Sequence, residues 1–99
     1  MKNKTPVLGG ICQSIQGRDK DRFYIISKLD GDFVYVTDGN FKRLAAPKRK
    51  NLRHIRLLPV TAEAIAEKLA LGTLVYDTEI YSALKTYNVK SENTQQSEK

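Results

Sequence analysis

Residues 22–39 read RFYIISKLDGDFVYVTDG, and this stretch contains the pattern that decides the fold. Its two apolar segments, 22–29 and 32–37, are rich in β-branched and aromatic residues, and an Asp-Gly pair follows each of them. The pairs are Asp30-Gly31 and Asp38-Gly39, whose glycines accept the positive φ angles of tight hairpin turns. The stretch therefore predicts a β-meander. The side chains expected in its core are Phe23, Ile25, Phe33 and Tyr35.

Further strands are predicted on both sides of the meander. Val7 to Ile15 has the composition of a first strand, and the polar residues 16–21 separate it from the second strand. A short fourth strand is predicted from Asn40 to Leu44, and a closing strand from Leu52 to Leu57. Five short strands in about 50 residues predict a small antiparallel barrel, because a meander this short hides its edges only by curling on itself.

The apolar period changes from two to about 3.6 beyond Pro59. A first helix is predicted with Thr61 as its N-cap and Gly72 at its C-terminal end. A second helix is predicted from an apolar stripe, which consists of Tyr76, Ile80, Ala83, Leu84 and Tyr87. Residues 90–99 contain no apolar side chain and are expected to be disordered. The predicted organisation is a barrel at 7–57, a helical extension at 58–89 and a tail at 90–99.

The net charge of +6 is concentrated in the first half of the chain. Residues 1–56 carry a net charge of +8 and residues 57–99 carry −2, and the stretch from Phe41 to Leu57 contains no acidic residue. A basic strip on a compact β scaffold is typical of proteins that bind a polyanion, RNA first among them. The alternative is that the basic run is only a solvated loop.

Three segments in this order are similar to the bacterial KOW-domain RNA-binding proteins, which resemble certain large-subunit ribosomal proteins of archaea and eukaryotes. They are GRDKDR at 17–22, the double Asp-Gly stretch at 30–39 and PKRKNLRHI at 47–55. The resemblance covers about residues 7–57. It implies an SH3-like barrel that contacts ribosomal or other structured RNA in translation. Where the family usually has a second glycine this chain has Asp21, and aspartate tolerates left-handed backbone better than most residues.

The predicted RNA contacts are mainly phosphate contacts, because Lys and Arg supply most of the affinity for nucleic acids. First among them are Lys48, Arg49 and Lys50. Phe41 is the aromatic residue expected to stack on an unpaired base. The full predicted set is Lys48, Arg49, Lys50, Arg53, Lys42, Arg43, His54, Arg56, Arg18, Lys20, Arg22 and Phe41. For the three basic residues of the 17–22 loop, charge compensation by the neighbouring aspartates is an equally open interpretation.

No catalytic residue, metal site or cofactor is predicted, and the protein is expected not to be an enzyme. Cys12 is the only cysteine, which excludes an internal disulfide and a cysteine-rich zinc site. The chain contains no P-loop or nucleophile elbow. Charged residues interrupt the apolar stretch 57–75, so a cytoplasmic protein without a membrane partner is expected. The alternative function is a protein-interaction module of the transcription or translation machinery, which would use the barrel and the second helix.

Overall fold

The structure, a computed structural model, describes residues 5–96 and is mainly β. Its strands are β1 (Gly10–Ser14), β2 (Phe23–Asp30), β3 (Phe33–Thr37), β4 (Lys48–Asn51) and β5 (Ile55–Thr61). Two helices follow them, α1 (Glu63–Leu71) and α2 (Asp77–Gln96). A 3₁₀ turn at Leu52–His54 joins β4 to β5. Of the two predicted hairpins, the one at Asp30-Gly31 is confirmed, since β2 and β3 pair antiparallel on either side of the tight turn at Gly31. The predicted tight hairpin at Asp38-Gly39 is wrong, because residues 38–47 form a longer loop between β3 and β4.

The five strands form one antiparallel sheet in the order β4-β3-β2-β1-β5. β4 and β5 are its two edges, and no strand pairing joins them in the described part of the chain. The prediction of a closed barrel is therefore wrong. Each face of the sheet nevertheless has its own hydrophobic core. The buried residues of one core all lie in strands, and the other core contains residues of the helices.

Alternation along each strand divides the buried residues between the two faces of the sheet. The inner face carries Cys12, Tyr24, Ile26, Val34, Val36 and Ile55. The outer face carries Ile11 and Ile25, which pack with Ile65, Ile80 and Leu84 of the helices. Burial of Ile25 is as predicted, and Phe23 packs partly buried against the helix-covered core. Phe33 and Tyr35 are only half-buried, so their assignment to the core is wrong; both faces of β3 are apolar, and Val34 and Val36 occupy the interior.

The predicted fourth strand, Asn40 to Leu44, is also wrong, since these residues form a loop and β4 begins at Lys48. The cause is the buried carboxylate of Asp38, whose Oδ1 accepts hydrogen bonds from the backbone N–H groups of Asn40 at 2.9 Å and Lys42 at 2.8 Å. An aspartate carboxylate that accepts hydrogen bonds from the N–H groups following it in the chain favours a turn over a strand. The closing strand begins at Ile55, three residues later than predicted.

The helices agree with their predicted patterns in most respects. α1 ends at Gly72 in a left-handed conformation as expected, but its N-cap is Ala62 and not Thr61. In the stripe of α2, Ile80 and Leu84 are buried against the sheet. α2 continues to Gln96, into the predicted tail, and residues 97–99 of that tail lie outside the described residues. Neither described helix combines the length and apolarity that crossing a membrane requires.

Candidate nucleic-acid interface

Asp19 organises the β1–β2 loop at one end of the sheet. Its Oδ1 accepts a hydrogen bond from Ser14 Oγ at 2.8 Å, and its Oδ2 accepts one from the hydroxyl of Tyr24 at 2.8 Å. The ammonium groups of Lys50 and Lys48, both from β4, lie 3.2 Å and 3.5 Å from the same carboxylate. We call these five residues the Asp19 cluster. The cluster ties the loop to β1, β2 and β4.

The Asp19 cluster keeps its carboxylate charged. Burial by itself raises the pKa of Asp19, but hydrogen bonds from Ser14, Tyr24 and Lys50 outweigh burial and hold the pKa well below its usual range. The pKa of the Tyr24 hydroxyl is raised above its ordinary value by burial and by its hydrogen bond to Asp19. The cluster therefore contains an anion and two cations, which lowers the positive charge that this part of the basic run presents to solvent.

Lys50 is committed to this cluster. An ammonium group has three N–H donors, and Lys50 Nζ lies 3.1 Å from Ser14 Oγ, 3.1 Å from the Gln16 carbonyl oxygen and 3.2 Å from Asp19 Oδ1. Only 6% of the residue is exposed. No donor of Lys50 remains for a phosphate, so its part is to hold the loop.

The loop also contains the expected left-handed residue. Asp21 has a φ of 77°, the one positive φ outside glycine in the described chain. Its N–H donates to the Ser14 carbonyl oxygen at 2.7 Å, and the Ser14 N–H donates to the Arg22 carbonyl oxygen at 2.9 Å. The left-handed backbone expected at Asp21 is therefore present in the described loop.

A shallow groove opens between this loop and β4. Its volume is about 550 Å³, and its lining consists of Gln16, Gly17, Phe33, Lys48, Arg49, Lys50, Asn51 and His54. We call it the β4 groove. The guanidinium of Arg49 lies 3.7 Å from the centroid of the Phe33 ring, so the ring holds an exposed cation at the edge of the groove. Arg53 and His54 are exposed on the adjoining 3₁₀ turn.

Two further depressions lie on the other side of the loop, around the exposed ring of Phe41. A linking groove of about 190 Å³ is lined by Arg18, Asp19, Arg22, Tyr24, Asp38, Phe41 and Lys42. A Phe41 pocket of about 250 Å³ is lined by Arg22, Asp38, Asn40, Phe41, Tyr81, Lys85 and Asn88. Asp19 lines the linking groove and pairs with two lysines of the β4 groove, so the Asp19 cluster separates the two sides.

The structure thus brings most of the predicted RNA contacts to one end of the molecule. The residues that line a depression there are Arg18, Arg22, Phe41, Lys42, Lys48, Arg49, Lys50 and His54. Arg53 is adjacent to them in the 3₁₀ turn. Lys20 and Arg43 are exposed but line none of the three depressions, and Arg56 lies on β5, where its guanidinium donates to Gln13 Oε1 at 2.6 Å.

The sequence pattern does not indicate two groups of residues in this region. Ser14 and Tyr24 have only the pattern of strand residues, and their hydroxyl contacts to Asp19 depend on how β1 and β2 pair. Tyr81, Lys85 and Asn88 belong to α2 and reach the Phe41 pocket only because that helix packs on the sheet. No local pattern could have found them.

The remaining reactive groups do not form a second site in the described residues. Cys12 is fully buried, and burial raises the pKa of its thiol to about 12, so the thiol is protonated near neutral pH. Within residues 5–96, no three His, Cys, Asp or Glu side chains are grouped so that they could hold a metal ion.

No protein-family model matches this chain, and no curated protein matches it at a significant level. What the grooves can bind follows from their own side chains. These offer exposed cations, the exposed rings of Phe41 and Tyr81, and a loop that is fixed in position.

Proposed function

We propose that the protein is a non-catalytic RNA-binding protein that contacts structured RNA, ribosomal RNA first, at the end of the sheet where the β1–β2 loop lies. One observation carries the proposal. Four cations flank the Asp19 cluster. Arg18 and Lys42 line the linking groove, Arg49 lines the β4 groove, and Arg53 is exposed on the 3₁₀ turn beside that groove. None of the four forms an ion pair within the described residues.

Cations of this kind suit a phosphate backbone. Binding of each phosphate by Lys or Arg releases condensed counterions, and that release supplies most of the affinity for nucleic acid. The grooves are shallow and carry several cations without a deep apolar cavity, which favours recognition of backbone shape and charge over base sequence. From the KOW resemblance, we propose that the protein acts in translation, on the ribosome and in the cytoplasm.

The strand order supports the fold that the KOW resemblance implies. In β4-β3-β2-β1-β5 the last strand returns to pair with the first, and residues of β1, β2, β3 and β5 share one hydrophobic core on the inner face. We propose that this open sheet is an SH3-like arrangement of the KOW type.

The alternative protein-interaction role has less support from the helices. That role requires the apolar stripe of α2 as the binding surface for a protein partner. Ile80 and Leu84 of that stripe are buried in the chain's own core. Tyr76 and Tyr81 remain exposed. The basic end of the sheet is therefore the better candidate surface.

Replacement of Arg49 and Arg53 by Gln tests the proposal. We expect the double variant to bind purified ribosomal RNA more weakly, with the slope of log affinity against log salt reduced by about 0.7–0.9 for each phosphate that the variant no longer binds. Filter binding at a series of salt concentrations measures both quantities. Lys50 is left unchanged, because its removal would disturb the Asp19 cluster.

A matched control changes the net charge by the same amount elsewhere. Ala64→Glu with Ala70→Glu also lowers the charge by two, on exposed positions of α1 at the far end of β1. This variant should keep the wild-type salt slope. If both double variants bound RNA equally weakly, only net charge would matter and the proposed surface would be wrong.

A further inference from the structure

We infer that the Phe41 pocket binds a single unpaired nucleotide of the RNA, with its base stacked on the Phe41 ring and its phosphate near Lys85. The inference rests on the proposed function and adds the class of RNA element that is recognised. It also adds α2 to the binding surface, through Tyr81 and Lys85.

The loop that carries Phe41 is held rigidly although the ring itself is exposed. The buried carboxylate of Asp38 accepts hydrogen bonds from the backbone N–H groups of Asn40 and Lys42 on either side of Phe41. The hydroxyl of Thr37 donates to the Lys42 carbonyl oxygen. At the end of the loop, the Leu44 N–H donates to Asp77 Oδ1 on α2 at 2.7 Å. The backbone around Phe41 is therefore fixed before any ligand arrives.

Close packing against α2 fixes the loop further. A Cβ placed on Gly39 would lie 2.3 Å from the Asp77 carbonyl oxygen and 2.6 Å from the Tyr81 nitrogen. α2 is in turn tied to β2, because the Asn88 side chain accepts a hydrogen bond from the Phe23 N–H at 3.0 Å and donates one to the Phe23 carbonyl oxygen at 3.3 Å. Loop, helix and sheet thus form one rigid frame around the pocket.

In spite of this frame, Phe41 is 71% exposed. Phenylalanine is usually buried, and a loop held this firmly could have turned its ring inward. The guanidinium of Arg22 lies 5.2 Å from the ring centroid and is itself held by Asp38 Oδ2 at 3.1 Å. A preorganised aromatic ring beside a fixed cation loses little entropy when a base stacks on it.

The rest of the lining suits a nucleotide. The side-chain amide of Asn40 and the hydroxyl of Tyr81 make no hydrogen bond to other described residues, so both can bond to the edge of a base. Lys85 places an exposed cation on the helix side of the pocket, where a phosphate would be attracted. Bases inside a duplex are covered on both faces by their neighbours, so a ring on the protein surface favours the unstacked bases of loops, bulges and single strands.

The test compares two RNA probes of equal length, binding to wild type and to Phe41→Ala. One probe is a pool of hairpins with a randomised four-nucleotide loop, and the other is a blunt duplex. We expect Phe41→Ala to bind the hairpins about tenfold more weakly, with duplex affinity unchanged. Leu71→Ala removes another exposed apolar side chain, 72% exposed on α1, and should change neither affinity.

A second variant reports on stacking directly. The chain contains no tryptophan, so Phe41→Trp introduces a single indole at the pocket, and Leu71→Trp places one at a remote control site. Hairpin RNA should quench the fluorescence of the first variant and leave that of the second unchanged.

Failure of the inference and failure of the proposed function give different results. If wild type binds RNA but Phe41→Ala binds the hairpins equally well and the indole is not quenched, the nucleotide pocket is wrong and RNA binding stands. If wild type binds neither probe at low salt, the proposed function itself is overturned.

Discussion

Lys50 belongs to the most basic run of the chain, yet the structure buries it. Its ammonium group has three acceptors inside the protein, one of them a carboxylate whose charge it neutralises. A buried charge is tolerated only when it is paired and fully hydrogen-bonded, and this one meets both conditions. Reversal of the whole run, including Lys50, would therefore test the stability of the protein and not its affinity for RNA.

We predict that Lys50→Met destabilises the protein by about 3 kcal/mol, because Asp19 then keeps its charge in a largely buried site without its best partner. Lys48→Met is the matched control, since Lys48 pairs with the same carboxylate at 3.5 Å but is partly exposed. Its cost should stay below about 1 kcal/mol. Urea unfolding at neutral pH measures both values, and equal costs would contradict the assigned role of Lys50.

Asp19 should also give the protein a specific sensitivity to acid. Its pKa is lower in the folded protein than in the unfolded chain, where it is about 3.9. The stability that it contributes is thus present above that pH and is lost as the pH falls further. Between pH 6 and pH 3 we expect wild type to lose about 1 kcal/mol more than Asp19→Asn. Urea unfolding at the two pH values gives this difference, and an equal loss in both proteins would rule out the contribution.

The loop between β3 and β4 shows how one side chain changes an element. Its sequence reads as a strand, but the carboxylate of Asp38 takes the backbone N–H groups that a strand would have used for pairing. The loop then packs on the first turn of α2, where only glycine fits at position 39. The contacts that keep residues 40–44 from forming a strand also hold the Phe41 ring in solvent.

Gly39→Ala should therefore be far more costly than Gly31→Ala. Both glycines have positive φ angles, of 76° and 62°, so both substitutions bring left-handed strain of about 1–2 kcal/mol. At Gly31 a Cβ meets nothing within 4 Å, whereas at Gly39 it collides with the backbone of α2. We expect the Gly39 variant to lose at least about 2 kcal/mol more. Thermal or urea unfolding compares them, and similar losses would mean that the loop is not packed as described.

The whole molecule is a sheet covered on both faces, and its helices are part of the fold. Ile11 and Ile25 on the outer face are buried by residues from α1 and α2. The sequence divided the chain into a barrel at 7–57 and a helical extension at 58–89, yet one of the two hydrophobic cores spans that boundary. Without the helices, the outer face would expose its apolar side chains to water.

Leu84→Ala tests this dependence in the full chain. Leu84 is 1% exposed between α2 and the sheet, and a large-to-small change there should cost about 3 kcal/mol. Leu74→Ala is the matched control, because Leu74 is 66% exposed and its truncation should cost less than about 0.5 kcal/mol. A small effect at Leu84, measured by urea unfolding, would show that α2 adds little to the stability of the sheet.

The sequence by itself determined the features that depend on neighbouring residues. The hairpin at Asp30-Gly31, the end of α1 at Gly72, the stripe of α2 and the basic half of the chain all follow from turn chemistry, periodicity and composition. Each of these signals lies within a few residues, so it can be interpreted without knowledge of the rest of the chain.

The tertiary structure alone decided the features that need contacts between distant residues. It selected Val34 and Val36 over Phe33 and Tyr35 for the interior, because strand alternation cannot tell which apolar face turns inward. It buried Lys50 by bringing Asp19, 31 residues away, within 3.2 Å. It also brought Lys85 of α2 beside Phe41. Charge and aromatic character are properties of the sequence, but whether a side chain is free to bind a ligand depends on which distant groups it meets in the folded chain.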